Sequence, residues 1–330
     1  MALRPIDNAL PLALERPKKQ VKVSAPIQKQ QPEFGVIVND ENQAPPPSTE
    51  SAFDYISSDD LKSITDPESK IQCLIEGLDS KDWTKVCESL NNARRFAIHH
   101  SSLLLPILEK VTVVVVKAMK NPRSALCKTA IMTSSDIFNA FSDKLLDSMT
   151  DAFDNLLLQL LLKASQDKRF VCEEADRALN IMVTSMNPLP LLRKLHAYVS
   201  HANPRVRAKA AVSISHSIAK TGLEGMEEFG LVLLVRMAAE LLNDRLPEAR
   251  EAARNIVNSV YESYEPRNEE EQKQESWQSF CQTNLPAIHA QSVIKIVSSN
   301  GTLVVYTRLS LIWRLGFRQI ELEVNSMGLH

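Results

Sequence analysis

The sequence predicts an all-α protein, a solenoid of about six stacked helical hairpins behind a proline-rich arm. Three observations predict it. The first is composition. Aromatic residues make up 5% of the 330-residue chain and glycines number eight, while alanine and leucine dominate. Sheets favour β-branched and aromatic side chains, whereas Ala and Leu are strong helix formers. The second is periodicity: in "PESKIQCLIEGLDS" the apolar residues Ile71, Leu74, Ile75 and Leu78 fall at 0, 3, 4 and 7, one face of a helix. The third is repetition. A very apolar helix, a tight polar turn and an amphipathic second helix recur, with turns starting at Asp82, Asn121, Asp167, Asn203 and Asp244 in steps of 39, 46, 36 and 41 residues. A two-helix period near 40 is the mark of an α-solenoid, in which stacked units bury faces that no single unit can.

Taken in order, residues 1–60 carry eight of the seventeen prolines, including Pro45-Pro46-Pro47. Such a segment has too little apolar surface to offset its ordering entropy and is expected to be a disordered arm. Residues 61–297 form the repeat domain. The first unit is "PESKIQCLIEGLDS" with "DWTKVCESLNNARRFAIHH", and "SLLLPILEKVTVVVVKAMK" with "NPRSALCKTAIMTSSDIFNAF" follows. The valine run there also reads as a strand, but its length and place in the repeat favour a buried helix. Three further pairs end at "NDRLPEAREAARNIVNSVYES". The polar "RNEEEQKQE" marks a loop, and "WQSFCQTNLPAIHAQSVIKIVSS" is expected to form a sixth, capping hairpin. Residues 298–330 leave the repeat pattern, alternate apolar and polar residues, and carry Trp313 and Phe317. No function is assigned to them.

Bulk properties exclude several classes. A formal net charge of −2 provides no global field for nucleic acid, and the basic turns lack the interleaved stacking aromatics of a nucleic-acid binder. The five cysteines, 73, 87, 127, 172 and 281, sit inside helical patterns and read as small buried hydrophobes in a reducing compartment. No secretory signal and no run of about 20 apolar residues occurs, which predicts a cytosolic or nuclear protein without a membrane span. Gly-rich phosphate loops, nucleophile elbows and Cys-x-x-Cys pairs are missing, so no enzyme, cofactor or metal centre is expected. His99 and His100 point about 100° apart on a helix and cannot readily share a metal. At a helix C-terminus they read as capping or solvated groups.

The turns carry the remaining signal. In "NPRVRAKAAVSIS" and the residues after it, Val206, Ala210, Ile214 and Ile218 form one inward stripe, with Arg205, Lys209 and His216 opposite. Arg207 points with the stripe and aligns with Arg250, each three residues after a proline, Pro204 or Pro247. In HEAT-type repeats a basic residue there pairs with an acid of a neighbouring turn, so Arg207 and Arg250 are expected to form a structural ladder. Just after the turn starts stand Lys85, Arg123, Lys168 with Arg169, Arg205 and Arg245. Parallel stacking of helices about 10 Å across would set them along a ridge roughly 40–50 Å long. A basic edge on a slightly acidic protein implies an acidic, extended partner. Exposed charges contribute only about 0.2–1 kcal/mol each, so an anchor is needed. Trp83, directly after Asp82, is either tucked into the first hairpin or presented as that anchor. Arg205 reads equally well as a solvated charge, and Phe170 as local packing.

These residues resemble the TOG domain. "SKDWTKVCESLNNARRF" is similar to its first repeat, with Asp-Trp in the first turn, and "DKRFVCEEADRALNIMV" resembles the third repeat of TOG-like domains in the CLASP and crescerin families. The resemblance covers about residues 61–295. It implies one TOG-like domain that binds αβ-tubulin along the edge of its intra-repeat turns. Trp83 would pack on β-tubulin beside Lys85, Arg123 would serve in the second turn, and Lys168 and Arg169 in the third. Asn203 and Arg205 would serve in the fourth turn and Arg245 in the fifth. It further implies a cytoplasmic, cytoskeletal protein whose partners are αβ-tubulin or microtubules and other cytoskeletal proteins. The alternative is a HEAT- or armadillo-type adaptor that binds a peptide on its concave face. That reading predicts sensitivity at second-helix positions such as Lys209 and Asn180.

Overall fold

The computed structural model of the chain describes residues 55–148, 150–264 and 270–298. Most of the proline-rich arm and the non-repeat tail lie outside the described residues. Six hairpins follow one another. Helices α1 (Pro67–Leu78) and α2 (Trp83–His99) form the first; α3 (Ser101–Leu104) and α4 (Leu108–Met119) lead to α5 (Ser124–Phe141). Then α6 (Lys144–Ser148) and α7 (Thr150–Ala164) lead to α8 (Arg169–Ser185). The fourth and fifth pair α9 (Pro188–His196) with α10 (Pro204–Phe229), and α11 (Leu231–Leu241) with α12 (Pro247–Ser263). Helix α13 (Glu270–Asn284) and α14, residues 287–298, complete the sixth. No strand occurs among the described residues. Along the array α2 packs on α5, α5 on α8, α8 on α10 and α10 on α12, while α4 packs on α7. First helices thus form one layer and second helices the other: the expected all-α solenoid.

Short polar signals start the helices. Asp82, Asn121, Asn203 and Asp244 each accept the backbone N–H two residues on, from Thr84, Arg123, Arg205 and Leu246. At Asp82 and Asn203, the N-caps of α2 and α10, this satisfies one of the amide donors a helix start leaves open; at Asn121 and Asp244 it fixes the amide of the N-cap residue, Arg123 or Leu246. Pro67, Pro188, Pro204 and Pro247 occupy first helical positions, where a missing N–H costs nothing and φ is already set. The 46-residue step holds an extra turn of helix, α6, before α7. Pro106 likewise breaks the second unit's apolar stretch into α3, a 3₁₀ turn at Leu105–Ile107, and α4. Gly222, at φ 70°, ends the regular part of α10, a conformation that disfavours any Cβ.

The valine run is helical. Val111, Thr112, Val115 and Val116 are buried in α4, and Thr112 donates to the Leu108 carbonyl at 2.8 Å. Valine gives up a few tenths of a kcal/mol of helix propensity against alanine, whereas burying its side chain returns about 1.5 kcal/mol or more. Burial wins, and the period of the array decides the conformation. Small residues line the second layer: Ala208, Ala210, Ala211, Ser213, Ser215 and Ser217 are buried in α10, and Ala249, Ala252 and Ala253 are buried in α12, on which α10 packs.

One expectation needs correction. Residues 55–60, read as the end of the arm, are part of the fold. Ser58–Asp60 form a 3₁₀ turn and Leu61 is buried behind it. The segment lies against α2 and α5 because Arg94 of α2, fully buried, donates to the Ile56 carbonyl and to Ser58. Hydrogen bonds rather than apolar content hold it, and composition does not display those.

Candidate functional site

The site is the edge on which the five intra-repeat turns meet. Asp82 caps α2, and the Thr84 hydroxyl and amide hold its carboxyl below the ordinary value of 3.8, so it stays charged at neutral pH. Trp83 is the first residue of α2. It is half-buried, with its apolar body against the core. The Arg123 guanidinium, from the second turn, stands 5.6 Å from the centroid of its ring. Cation–π attraction of this kind is worth about 0.5–1 kcal/mol at an exposed site, enough to orient both groups. Trp83 is thus neither fully buried in the first hairpin nor fully exposed.

Each further turn touches the next. Lys168 donates to the Ser124 hydroxyl at 3.2 Å, joining turns three and two. Arg205 pairs with Asp167 and donates to the Ser165 carbonyl, joining turns four and three. Arg207 pairs with Asp244 at 2.7 Å, joining turns four and five. With Trp83–Arg123, these contacts run through all five turns, so the turns form one continuous edge.

The predicted residues fare differently along it. Arg207 makes an inter-turn ion pair and also donates to the His201 and Ala202 carbonyls. Arg250 instead donates to the carbonyls of Asp244 and Arg245 in its own turn. The following turn, around Leu285 and Pro286, carries no acid it could reach. Asn203 caps α10 through its side chain, so its role there is structural. Arg205 is engaged by Asp167, which raises its pKa further and leaves it a fixed charge. Arg169 is 90% exposed and pairs with Glu173 one turn along its helix. Lys85, Arg123 and Arg245 are exposed and form no ion pair among the described residues. Phe170, expected to pack locally, is 43% exposed beside Arg169. It lies at the second position of α8, too early for that helix to cover it, a clue already present in its distance from the turn.

The second-helix face carries charge of another kind. Arg94 pairs with Asp136, Lys128 with Glu174, and Lys209 with Asp176, bridging α2–α5, α5–α8 and α8–α10 in turn. Helices α8 and α10 also touch. A cleft of about 570 Å³ opens between them, lined by residues that include Cys172, Asp176, Asn180, Lys209 and His216.

Nucleophilic chemistry finds no support in the thiols. Burial pushes Cys87 up to about 11 and Cys281 up to about 12, so both remain protonated. All five cysteines are free, and Cys73, expected to be buried, is exposed. No group of three or more potential metal ligands occurs among the described residues. His99 and His100 turn to the segment before α1, reaching the Leu61 carbonyl at 2.7 Å and the Ser63 hydroxyl at 2.9 Å.

A two-layer helical array with an edge of linked, capped turns is the arrangement that the sequence resemblance implies. The family model described as CLASP N terminal matches residues 97–283. The chain belongs to the CLASP N-terminal family. The matched span takes in turns two to five of the edge, with Trp83 upstream of it. Among individual relatives, the mouse protein named TOG array regulator of axonemal microtubules protein 1 is 30% identical over 155 residues, 47% of this chain. Its human counterpart is 31% identical over 142 residues, 43% of this chain. The chain spans about 8% of the length of either. Among solved structures, the TOG domain of C. elegans Zyg9 superposes with a TM-score of 0.51 at 16% identity, over 73% of this chain and 89% of that one. A chain from work on microtubule plus end tracking by XMAP215, CLIP-170 and EB1 gives 0.51 at 14% identity, over 72% and 94%. At these identities the likeness concerns the fold: a TOG-type HEAT solenoid.

Proposed function

We propose that this member of the CLASP N-terminal family is a microtubule-associated protein that binds αβ-tubulin through the turn edge, acting by binding rather than by chemistry. The observation that carries the reading is the Trp83–Arg123 pair, an aromatic anchor and an unneutralised cation held together at one end of a continuous ridge. An interface needs an anchor of this type, since a few buried aromatic and arginine residues dominate binding energy. Along the ridge from it Lys85, Lys168, Arg169, Phe170 and, at the far end, Arg245 offer exposed positive and apolar surface suited to an acidic partner. The names of the relatives, regulators of axonemal microtubules, support a cytoskeletal setting. Arg205 and Asn203 belong to the edge in this proposal as its frame more than as its contacts.

The test is co-migration of the full chain with tubulin on size exclusion, alongside pelleting with stabilised microtubules at two salt concentrations. Wild type is compared with Trp83→Ala plus Arg123→Glu. Loss of an anchor of about 2 kcal/mol or more corresponds to roughly 30-fold weaker binding. Helical content and the unfolding midpoint establish that the variant is folded. Equal binding by both proteins, or none by wild type, would overturn the reading. The α8–α10 cleft favours a second reading, a peptide adaptor; there Lys209→Ala, not the turn-edge variant, would abolish partner binding.

A further inference from the structure

The segment before α1 crosses the second-helix face of the first two hairpins and is held at a single polar knot. Arg94, fully buried, spends its guanidinium on four acceptors. Nε donates to Asp136 at 2.6 Å, Nη1 to the Ile56 carbonyl at 2.8 Å and to Asn91 at 3.0 Å, and Nη2 to the Ser58 hydroxyl at 3.1 Å. The Ser58 hydroxyl in turn donates to the other oxygen of Asp136 at 2.7 Å. Ser58 closes a ring of Arg94, Asp136 and its own side chain in which four of the five guanidinium N–H donors and the serine hydroxyl proton have acceptors. Further contacts hold the segment outside the knot. Lys128 stands 4.3 Å from the centroid of the Tyr55 ring, His99 reaches the Leu61 carbonyl, and Leu61 is buried.

We propose that Ser58 is a phosphorylation site and that modification there releases residues 55–61 from the second-helix face. Three features of the site point the same way. Ser58 is followed directly by Asp59 and Asp60, both exposed, an acidic context that a serine kinase with a basic substrate groove would read. The Ser58 side chain joins both members of the buried ion pair. Its environment tolerates a neutral donor and not a dianion. A phosphoserine carries a charge of about −1.5 to −2 and no hydroxyl proton to donate. Placed here it would face the Asp136 carboxylate, which is 4% exposed and already matched by the one guanidinium in the knot, from a position only partly open to water. A buried charge without its own partner is strongly unfavourable, so the modified segment leaves while the Arg94–Asp136 pair stays. In the reaction the γ-phosphoryl group of ATP bonds to Ser58 Oγ as its bond to the ADP oxygen breaks, and the hydroxyl proton passes to the kinase's base. The acceptor must first swing out of the knot, so phosphorylation traps an opening that occurs spontaneously. Release would expose Asn91, Arg94, Asp136 and the pocket of Leu61, a polar second-helix surface distinct from the turn edge.

Ser57 supplies the control. It is adjacent, exposed, and precedes the same two acids, yet among the described residues it is the Ser58 side chain, not that of Ser57, that bonds Arg94 and Asp136. The experiment is hydrogen–deuterium exchange on the full chain in three forms: unmodified, with phosphoserine incorporated at position 58, and with phosphoserine at position 57. The amides of Asp60 and Leu61, which donate to the Ser57 and Ser58 carbonyls, report on the segment; those of α8, α10 and α12 report on the solenoid. The expected result is exchange faster by on the order of tenfold across residues 56–61 for phosphoserine 58 alone, with the solenoid unchanged. Unaltered protection with phosphoserine 58 would overturn the proposal. So would equal release by phosphoserine 57, which would make added charge anywhere on the segment the cause. Loss of protection throughout α8–α12 would overturn it too, since releasing a latch must leave the solenoid folded.

Discussion

Two charge ladders run along this solenoid in parallel, and they end differently. On the second-helix face, Arg94–Asp136, Lys128–Glu174 and Lys209–Asp176 pair cations with anions from helix to helix. On the turn edge, Arg205 and Arg207 are consumed in the same way, by Asp167 and Asp244, while Lys85, Arg123 and Arg245 stand exposed outside any ion pair among the described residues. Pairing across a repeat boundary sets the register of neighbouring hairpins. A cation outside such a pair, even one that stacks on a neighbouring turn as Arg123 does on Trp83, keeps a charge that a partner can use. The difference separates what holds the array from what it offers.

The largest effect should come from the most buried rung. Arg94→Ala leaves Asp136, 4% exposed, as an uncompensated charge and is expected to lower stability by about 3–5 kcal/mol. Chemical denaturation measures this; a loss below about 1 kcal/mol would mean that the two ladders do not differ in kind.

Arg207→Ala probes the buried rung of the turn edge and should cost about 2–3 kcal/mol, because Asp244 is nearly buried while the arginine is partly solvated. The same pair sets a pH dependence. Burial alone would raise the Asp244 carboxyl, but the Leu246 amide and Arg207 outweigh it and hold it below the ordinary 3.8. The contribution is therefore fully present above about pH 4 and is lost as pH falls below 3.8 through the folded-state value. Unfolding midpoints of wild type and variant should converge over that acid range and stay parallel above it.

Trp83 and Arg123 sharpen the other side of the comparison. A double-mutant cycle in stability, using Trp83→Ala and Arg123→Ala, should return a coupling of about 0.5–1 kcal/mol. In tubulin binding each single change should cost more than it does in stability. Equal costs in both assays would place the pair with the structural rungs. The smallest effect belongs to Arg169→Ala. Its partner Glu173 is exposed one helical turn away, so stability should change by less than about 0.5 kcal/mol. Tubulin affinity should fall about two- to threefold, and less at high salt.

How much of this was legible depends on sequence distance. Four of the five turn starts were readable because an Asp or Asn there accepts a backbone amide two residues away. The inward stripe of α10 and the inward direction of Arg207 follow from helix geometry alone. The partner of Arg207 stands 37 residues on and that of Arg205 38 residues back, so stacking decided which cation was spent. Arg205 looked free for that reason. Phe170 looked packed because its residue type suggests burial, whereas its place at the mouth of α8 denies it a neighbour. Residues 55–60 were the least legible, because their polar composition matches that of an arm and their attachment depends on one buried arginine.

By itself the sequence determined an array of helical hairpins, their order, and the edge where their turns collect. Helical period, capping and proline placement act within a few residues, and they repeat about every 40. Tertiary structure alone decided which of the similar charges became struts and which stayed open, and that Ser58 sits in the knot of Arg94 and Asp136. Those outcomes depend on groups from different repeats meeting at hydrogen-bond distance, and the stacking of layers creates such meetings where local pattern cannot encode them.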